Sequence, residues 1–316
     1  MVRSILDDVL IVELAQDVAG PYGSKLLADQ GANVIKIEPI TGDTSRQWGP
    51  FPDDIPHIER SLSYAYYNTN KKGITLNIDS DKGKGLLRRL IEQADIFIED
   101  IAPSKKSMYG IDDLSLSNPD LVHVSVTPFG SAGPYQDYAG VEIIYQALAG
   151  FMHLSGDPDR GPLQIALNQG QVMAGRNIAL SAMASIYMQL GQYLDVSIME
   201  SVAVQPPFHI ITYTHTGIIS GRGLGADGID IFGGDYLKTR DGYICMTTEG
   251  KRTWEDLAIL LDIPELSLDH FADPVDREKH RESLEKLVLP ELEKKDTKDL
   301  FPKAMREGFV FGMVQS

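Results

Sequence analysis

The sequence predicts an α/β protein with a Rossmann-like large domain followed by a small α+β domain, and three observations carry that prediction. Strand-like apolar runs alternate with helical patterns through about the first 130 residues. Strands separated by helices of about ten to fifteen residues imply βαβ units and a mostly parallel sheet. The glycine-dense stretch "GIISGRGLGADGIDIFGGDY" then breaks the pattern, and beyond it a hairpin signal and further helices form a second group.

Each element has a local signal. "VLIVEL" is a buried strand, "AGPYGSKLLADQGA" a turn and helix, "NVIKIEP" a strand, "KGKGLLRRLIEQA" an amphipathic helix, and "DIFIED" and "LVHVSVTPFG" two more strands. "LQIAL" reads as a short apolar strand run that gives way at Asn168 to a polar turn, and a small-residue helix runs from near Met173 to about Met188. "GQYLDVSIMESVA" continues as a strand and the start of a helix. "YLKTRDGYICMTT" predicts a hairpin around Asp241 and Gly242, and "TWEDLAILLDI" and "HRESLEKLVLPELEKK" predict helices. The large domain is therefore expected over 1–200, a linker over 201–232 and the small domain over 233–316. The closing "GFVFGMVQS" is an apolar strand-like run without a cap, as expected of a fragment whose remaining segment returns to the large domain.

Composition excludes several function classes. The chain has 316 residues, 43% of them hydrophobic and 23% charged, as in an ordinary globular protein. A net charge of −16 argues against a nucleic-acid partner, which needs a clustered basic surface. No apolar window is long enough to span a membrane and the N-terminus lacks a signal-peptide layout, so a cytoplasmic location is expected. The single cysteine, Cys245, sits in the apolar "YICM" run and reads as a buried structural thiol. GxGxxG and GxxxxGK[ST] are missing, which disposes of a dinucleotide fingerprint and a P-loop, and the histidines and acids show no metal-ligand spacing. No metal site is expected.

A strand-turn-helix junction is where α/β proteins mount reactive groups, yet this turn offers the amides Asn168, Gln169 and Gln171. In chain order, "AGPYGSKLLADQGANVIKIEP", "GDTSRQWGP", "NTNKKGITLNIDSDKGKGLLRRLIEQADIFIED", "GPYQDYAGVEIIYQALAGFMHLSG", "GQYLDVSIMES" and "GGDYLKTRDGYICM" span nearly the whole chain. The ordered set resembles the class III CoA-transferase family, which includes formyl-CoA transferase, carnitine CoA-transferase and the α-methylacyl-CoA racemases.

The resemblance implies an interlocked-ring dimer and a covalent mechanism. In the family an aspartate carboxylate attacks an acyl-CoA thioester, giving a mixed anhydride and CoA thiolate, and aspartyl-CoA then passes CoA to the acceptor acid. Laid against the family's turn, "PLQIALNQGQVMAG" puts Gln171 at the nucleophile position, where a carboxamide cannot form the anhydride. The racemase branch exchanges an α-proton with a histidine in "AGHD" and the same aspartate. Here the stretch is "AGVE", with Val141 at the histidine position and Glu142 at the neighbouring acid.

CoA recognition is expected to survive in part. "NTNKKG" matches the family's basic stretch and offers Lys71 and Lys72 as point charges for a phosphate. In the next CoA-site stretch Asp100 replaces an asparagine, Ile101 an aromatic residue and Met108 an arginine, while Lys105 or Lys106 could compensate. An ionised Asp100 would repel a diphosphate. The resemblance thus implies a catalytically silent subunit of a heteromeric CoA-transferase that moves CoA between carboxylic acids, with succinyl-CoA and benzylsuccinate as candidates. Its partner would be a paralogous chain carrying the aspartate, and coenzyme A thioesters would be substrates rather than a bound cofactor. Two alternatives stay open: an active transferase using Glu142 or another group, and a stand-alone acyl-CoA-binding scaffold.

Overall fold

A computed structural model of the chain describes residues 4–112, 114, 117–157, 159–205, 207–217, 219–222, 236–246, 252–271 and 274–315. Contacts divide the chain into two units, one formed by 1–152 and 164–205 and the other by 153–163 and 206–316.

In the first unit β1 (Leu10–Leu14), β2 (Asn33–Glu38), β3 (Lys72–Thr75), β4 (Ile96–Glu99), β5 (Val122–Thr127) and β6 (Gln192–Ser197) form one parallel sheet. Their spatial order is β3-β2-β1-β4-β5-β6, so the winding direction reverses between β1 and β4. A doubly wound sheet binds ligands at this reversal, outside the carboxyl ends of the strands. Strands β4 and β5 are buried along their whole length, which explains why they read as unbroken runs rather than alternating ones. The edge strand β3 is exposed at all four residues and carried no apolar signal; its main chain pairs with β2 in register Ile35 to Lys72.

Among the described residues the α-helices that accompany the sheet are α1 (Ala19–Asp29), α2 (Leu62–Tyr67), α3 (Asp81–Ile91), α4 (Lys106–Tyr109), α5 (Glu142–Leu148), α6 (Phe151–Leu154), α7 (Gln169–Met188) and α8 (Ile198–Ala203). The last two residues of α6 belong to the second unit. Helices α1 and α7 cross where Gly23 meets Gly175. A Cβ on Gly175 would stand 2.9 Å from the Ala19 carbonyl oxygen and 3.0 Å from the Gly23 nitrogen. Such closeness excludes any side chain at that point.

Two sequence expectations fail in this unit. The run "LQIAL" is not a strand, because both main-chain groups of Ile165 bond to the side chain of Gln146 instead of a ladder. The polar turn after it is already helical, since α7 begins at Gln169.

The second unit contains an antiparallel sheet of β7 (Tyr236–Lys238), β8 (Tyr243–Met246) and β9 (Phe311–Met313). Its helices are α9 (Pro207–Thr216), α10 (Trp254–Leu261), α11 (Pro274–Lys279), α12 (Arg281–Leu292) and α13 (Thr297–Glu307). Ile244, Leu257, Leu261, Leu284, Val288 and Leu292 form the centre of its core. Cys245 is half-buried rather than enclosed. The expected linker over 201–232 is helical at its start, through the end of α8 and all of α9. Its glycine-rich part, 223–232, lies outside the described residues.

Candidate active site

A cleft of about 370 Å³ opens at the winding reversal, lined by Leu14, Gln16, Ile37, Asp100, Ile101 and Lys105 among others. Three sequence-predicted residues, Asp100, Ile101 and Lys105, therefore share one cavity. The Asp100 carboxylate accepts from the Gln16 N–H at 2.8 Å. Burial pushes its pKa up to about 7, and Glu99 and Asp17 add to the rise while the Gln16 N–H opposes it. At neutral pH it carries only part of a negative charge, so it repels an anion less than the sequence suggested.

Met108 is not in this cleft. It is 53% exposed and lines a separate groove with Lys84, Arg88 and Ile91. The cause is the short helix α4, which turns Met108 away from Lys105. Lys106 also points elsewhere, its ammonium meeting Glu99 at 2.8 Å, Ser125 at 2.6 Å and the Tyr193 hydroxyl at 2.9 Å.

Lys71 requires a larger correction. Only 2% of its side chain is exposed, and its ammonium lies 2.8 Å from Glu13 Oε2 and donates to the Pro21 carbonyl at 2.7 Å. Glu13 also receives Lys36 at 2.9 Å and the Ser24 hydroxyl at 2.5 Å, and Lys36 reaches Asp43 at 2.8 Å. Burial raises the Glu13 carboxyl, and Lys36 and then Lys71 outweigh it, holding the pKa at about 2. An uncompensated carboxylate at this depth would cost several kcal/mol, so Lys71 is committed to neutralising it rather than to a phosphate. Lys72 is exposed on β3 and donates to Asn33 at 2.8 Å.

Gln171 and Glu142 come together at the N-terminus of α7. Glu142 Oε1 accepts from the Gly170 N–H at 2.6 Å, and Oε2 from the Gln171 N–H at 3.3 Å. Helix N-termini leave such donors unpaired, and a carboxylate is the favoured partner. Gln146 Nε2 donates to the same Oε1 at 2.7 Å and to the Ile165 carbonyl at 3.2 Å, while its Oε1 accepts from the Ile165 N–H at 2.8 Å. The two side chains bracket residues 165–171 at both ends. Within the bracket Leu167 takes a left-handed backbone, φ 62°, with its side chain exposed. Gln171 is half-buried, and its carboxamide makes no hydrogen bond to other described residues. Burial raises the pKa of Tyr145, and the charges of Glu142 and Asp17 add to the rise.

The described residues thus hold a carboxamide, Gln171, in the first turn of α7 and a cleft at the winding reversal. The family model for CoA-transferase family III matches residues 6–316. The chain belongs to that family. A succinate–glutarate CoA-transferase of Agrobacterium fabrum is 30% identical over 98% of this chain and 80% of its own length. Subunit BbsE of the succinyl-CoA:(R)-benzylsuccinate CoA-transferase of Thauera aromatica is 34% identical, over 58% of this chain and 47% of the subunit. The crystal structure of a CAIB/BAIF family protein from Brucella suis superposes with a TM-score of 0.83 at 28% identity, covering 99% of this chain and 84% of that one.

In this class III CoA-transferase chain several residues near the head of α7 carried no role in the sequence analysis. Tyr22, Tyr66 and Tyr67 form a ring cluster, with centroids 6.4 Å apart for Tyr22 and Tyr66 and 5.2 Å for Tyr66 and Tyr67. The signal for Tyr66 and Tyr67 was the run "YAYY" directly before the basic stretch. Gln146 was also missed, although its position four residues after Glu142 places it on the same face of α5.

Proposed function

We propose that this chain is the catalytically silent subunit of a heteromeric CoA-transferase that moves CoA between carboxylic acids. The observation that carries the reading is Gln171, an amide in the first turn of α7 with the neighbouring carboxylate, Glu142, engaged by two main-chain N–H groups. An amide nitrogen is not a useful nucleophile, and a carboxylate held as a helix cap is withdrawn from attack on a thioester. The same hydrogen bonds weigh against an active enzyme that uses Glu142.

A paralogous chain carrying the aspartate would supply the anhydride chemistry, and this chain would supply half of an interlocked dimer and a wall of the substrate site. Succinyl-CoA is the candidate donor, and benzylsuccinate or another dicarboxylic acid the candidate acceptor, since the relatives named above act on such acids. A cytoplasmic location is part of this reading, and CoA thioesters as substrates are compatible with it. Purification from the native host tests the assignment: the chain should co-elute with a paralogue bearing an aspartate in the turn, and transfer should depend on that partner. A homomeric preparation of this chain that transfers CoA between acids overturns it. Titration with CoA separates a silent subunit, expected to bind poorly alone, from a stand-alone acyl-CoA-binding scaffold.

A further inference from the structure

We propose that the groove between α3 and α4 is a second small-molecule site, which takes an aliphatic carboxylate with its chain in the groove and its headgroup at Lys84 and Arg88. The groove is distinct from the cleft at the winding reversal, with which it shares only Tyr109. The inference does not depend on whether this chain is a silent subunit.

The groove measures about 340 Å³, within the range of about 300–1,000 Å³ in which small-molecule pockets fall. Its base is aliphatic, for Leu87, Ile91, Ile111 and Leu114 are each at most 4% exposed. Met108 borders it at 53% exposure, an unbranched thioether that adapts to chains of varied shape. Gly85 and Gly110 also line it, and a Cβ added at either would meet nothing within 4 Å. The apolar space is therefore open rather than filled by the protein's own side chains.

Two cations stand along one wall. Lys84 and Arg88 lie four residues apart and share a face of α3. Lys84 is half-buried, and its ammonium makes no hydrogen bond or ion pair among the described residues. Arg88 meets Glu92 at 3.4 Å with both side chains well exposed, a pair of little worth that an incoming anion can replace. Asp79 is turned to the Tyr109 hydroxyl, from which it accepts at 3.1 Å. In a chain of net charge −16, two loosely partnered cations beside an open apolar slot complement a ligand that is apolar at one end and anionic at the other.

NMR titration of the 316-residue chain with octanoate, butyrate and 1-octanol tests the proposal, with the methionine methyl groups isotope-labelled and the Met108 resonance assigned through Met108→Leu. No thioester is involved, so the result does not rest on CoA binding. Octanoate is expected to shift the Met108 resonance and to bind at least about tenfold tighter than butyrate, which buries four fewer methylenes. It should bind about threefold tighter than 1-octanol, which brings no charge to the two cations. Lys84→Gln should erase the advantage over 1-octanol. Gly85→Phe sets a ring in the open slot at a position where the helix gains from losing glycine, and should abolish binding with the circular dichroism spectrum unchanged. Equal affinities for octanoate and 1-octanol, binding of neither, a Met108 resonance that does not move, or binding that survives Gly85→Phe overturns it. A transfer assay that overturns the silent-subunit reading leaves this result standing, and the reverse holds too.

Discussion

Glu142 holds the head of α7 by its main chain, with Oε1 2.6 Å from the Gly170 nitrogen. Glu142→Gln keeps an acceptor oxygen and loses the charge, which should lower stability by about 1 kcal/mol, the ordinary worth of a helix cap. Urea unfolding followed by circular dichroism measures it. In the assembled complex the same variant should leave CoA transfer essentially unchanged. A collapse of activity would make Glu142 the acting carboxylate.

Gln146→Leu removes the other arm of the bracket. It strands the N–H and carbonyl of Ile165 and releases one partner of Glu142. A main-chain group left unpaired costs about 1–3 kcal/mol when fully buried; Ile165 is half-buried, so the loss should be comparable to that of Glu142→Gln. Amide hydrogen exchange at 163–170 should accelerate before the sheet strands do.

Asp100 should make anion binding in the cleft depend on pH. Its carboxyl, raised to about 7 by burial, is neutral below that value and charged above it. CoA affinity is therefore expected to fall as pH rises from 6 to 8, and Asp100→Asn should flatten the profile and strengthen binding at pH 8. An unchanged slope in the variant would assign the dependence to another group.

The buried Glu13 cluster should set the acid limit of stability. Its carboxyl, held at about 2, lies below the unfolded value of 4.5, so the stabilisation is present above 4.5 and is lost as pH falls through 2. Glu38, held at about 2 by Arg46 and Tyr64 against burial, works in the same direction. The unfolding midpoint should drop across that window. Lys71→Met, which leaves Glu13 short of one cation, should cost about 3–5 kcal/mol at neutral pH. A Lys71→Met protein of undiminished stability would return Lys71 to the surface role.

The sheet was legible because fully buried parallel strands are written as unbroken apolar runs, as in "DIFIED" and "LVHVSVTPFG". β3 was not, because an edge strand without buried side chains is specified by main-chain pairing alone. Gln171 could be singled out from the sequence, while the identity of its hydrogen-bonding neighbour could not. Glu142 lies 29 residues away, and only the packing of α5 beside α7 brings it to the helix head. Lys71 shows the opposite failure. A lysine pair in a turn reads as exposed charge, and nothing local reveals that one member is drawn inward by a glutamate 58 residues earlier in β1.

The intact bracket around residues 165–171 bears on how this chain could change over generations. Codons for glutamine and glutamate differ at a single base, so a carboxylate at position 171 is one point mutation away, whereas aspartate needs two. The single step would set a second negative charge close to Glu142, whose carboxylate already accepts from the Gly170 and Gln171 N–H groups. The easiest change of charge at the head of α7 is thus also the one that the bracket resists most.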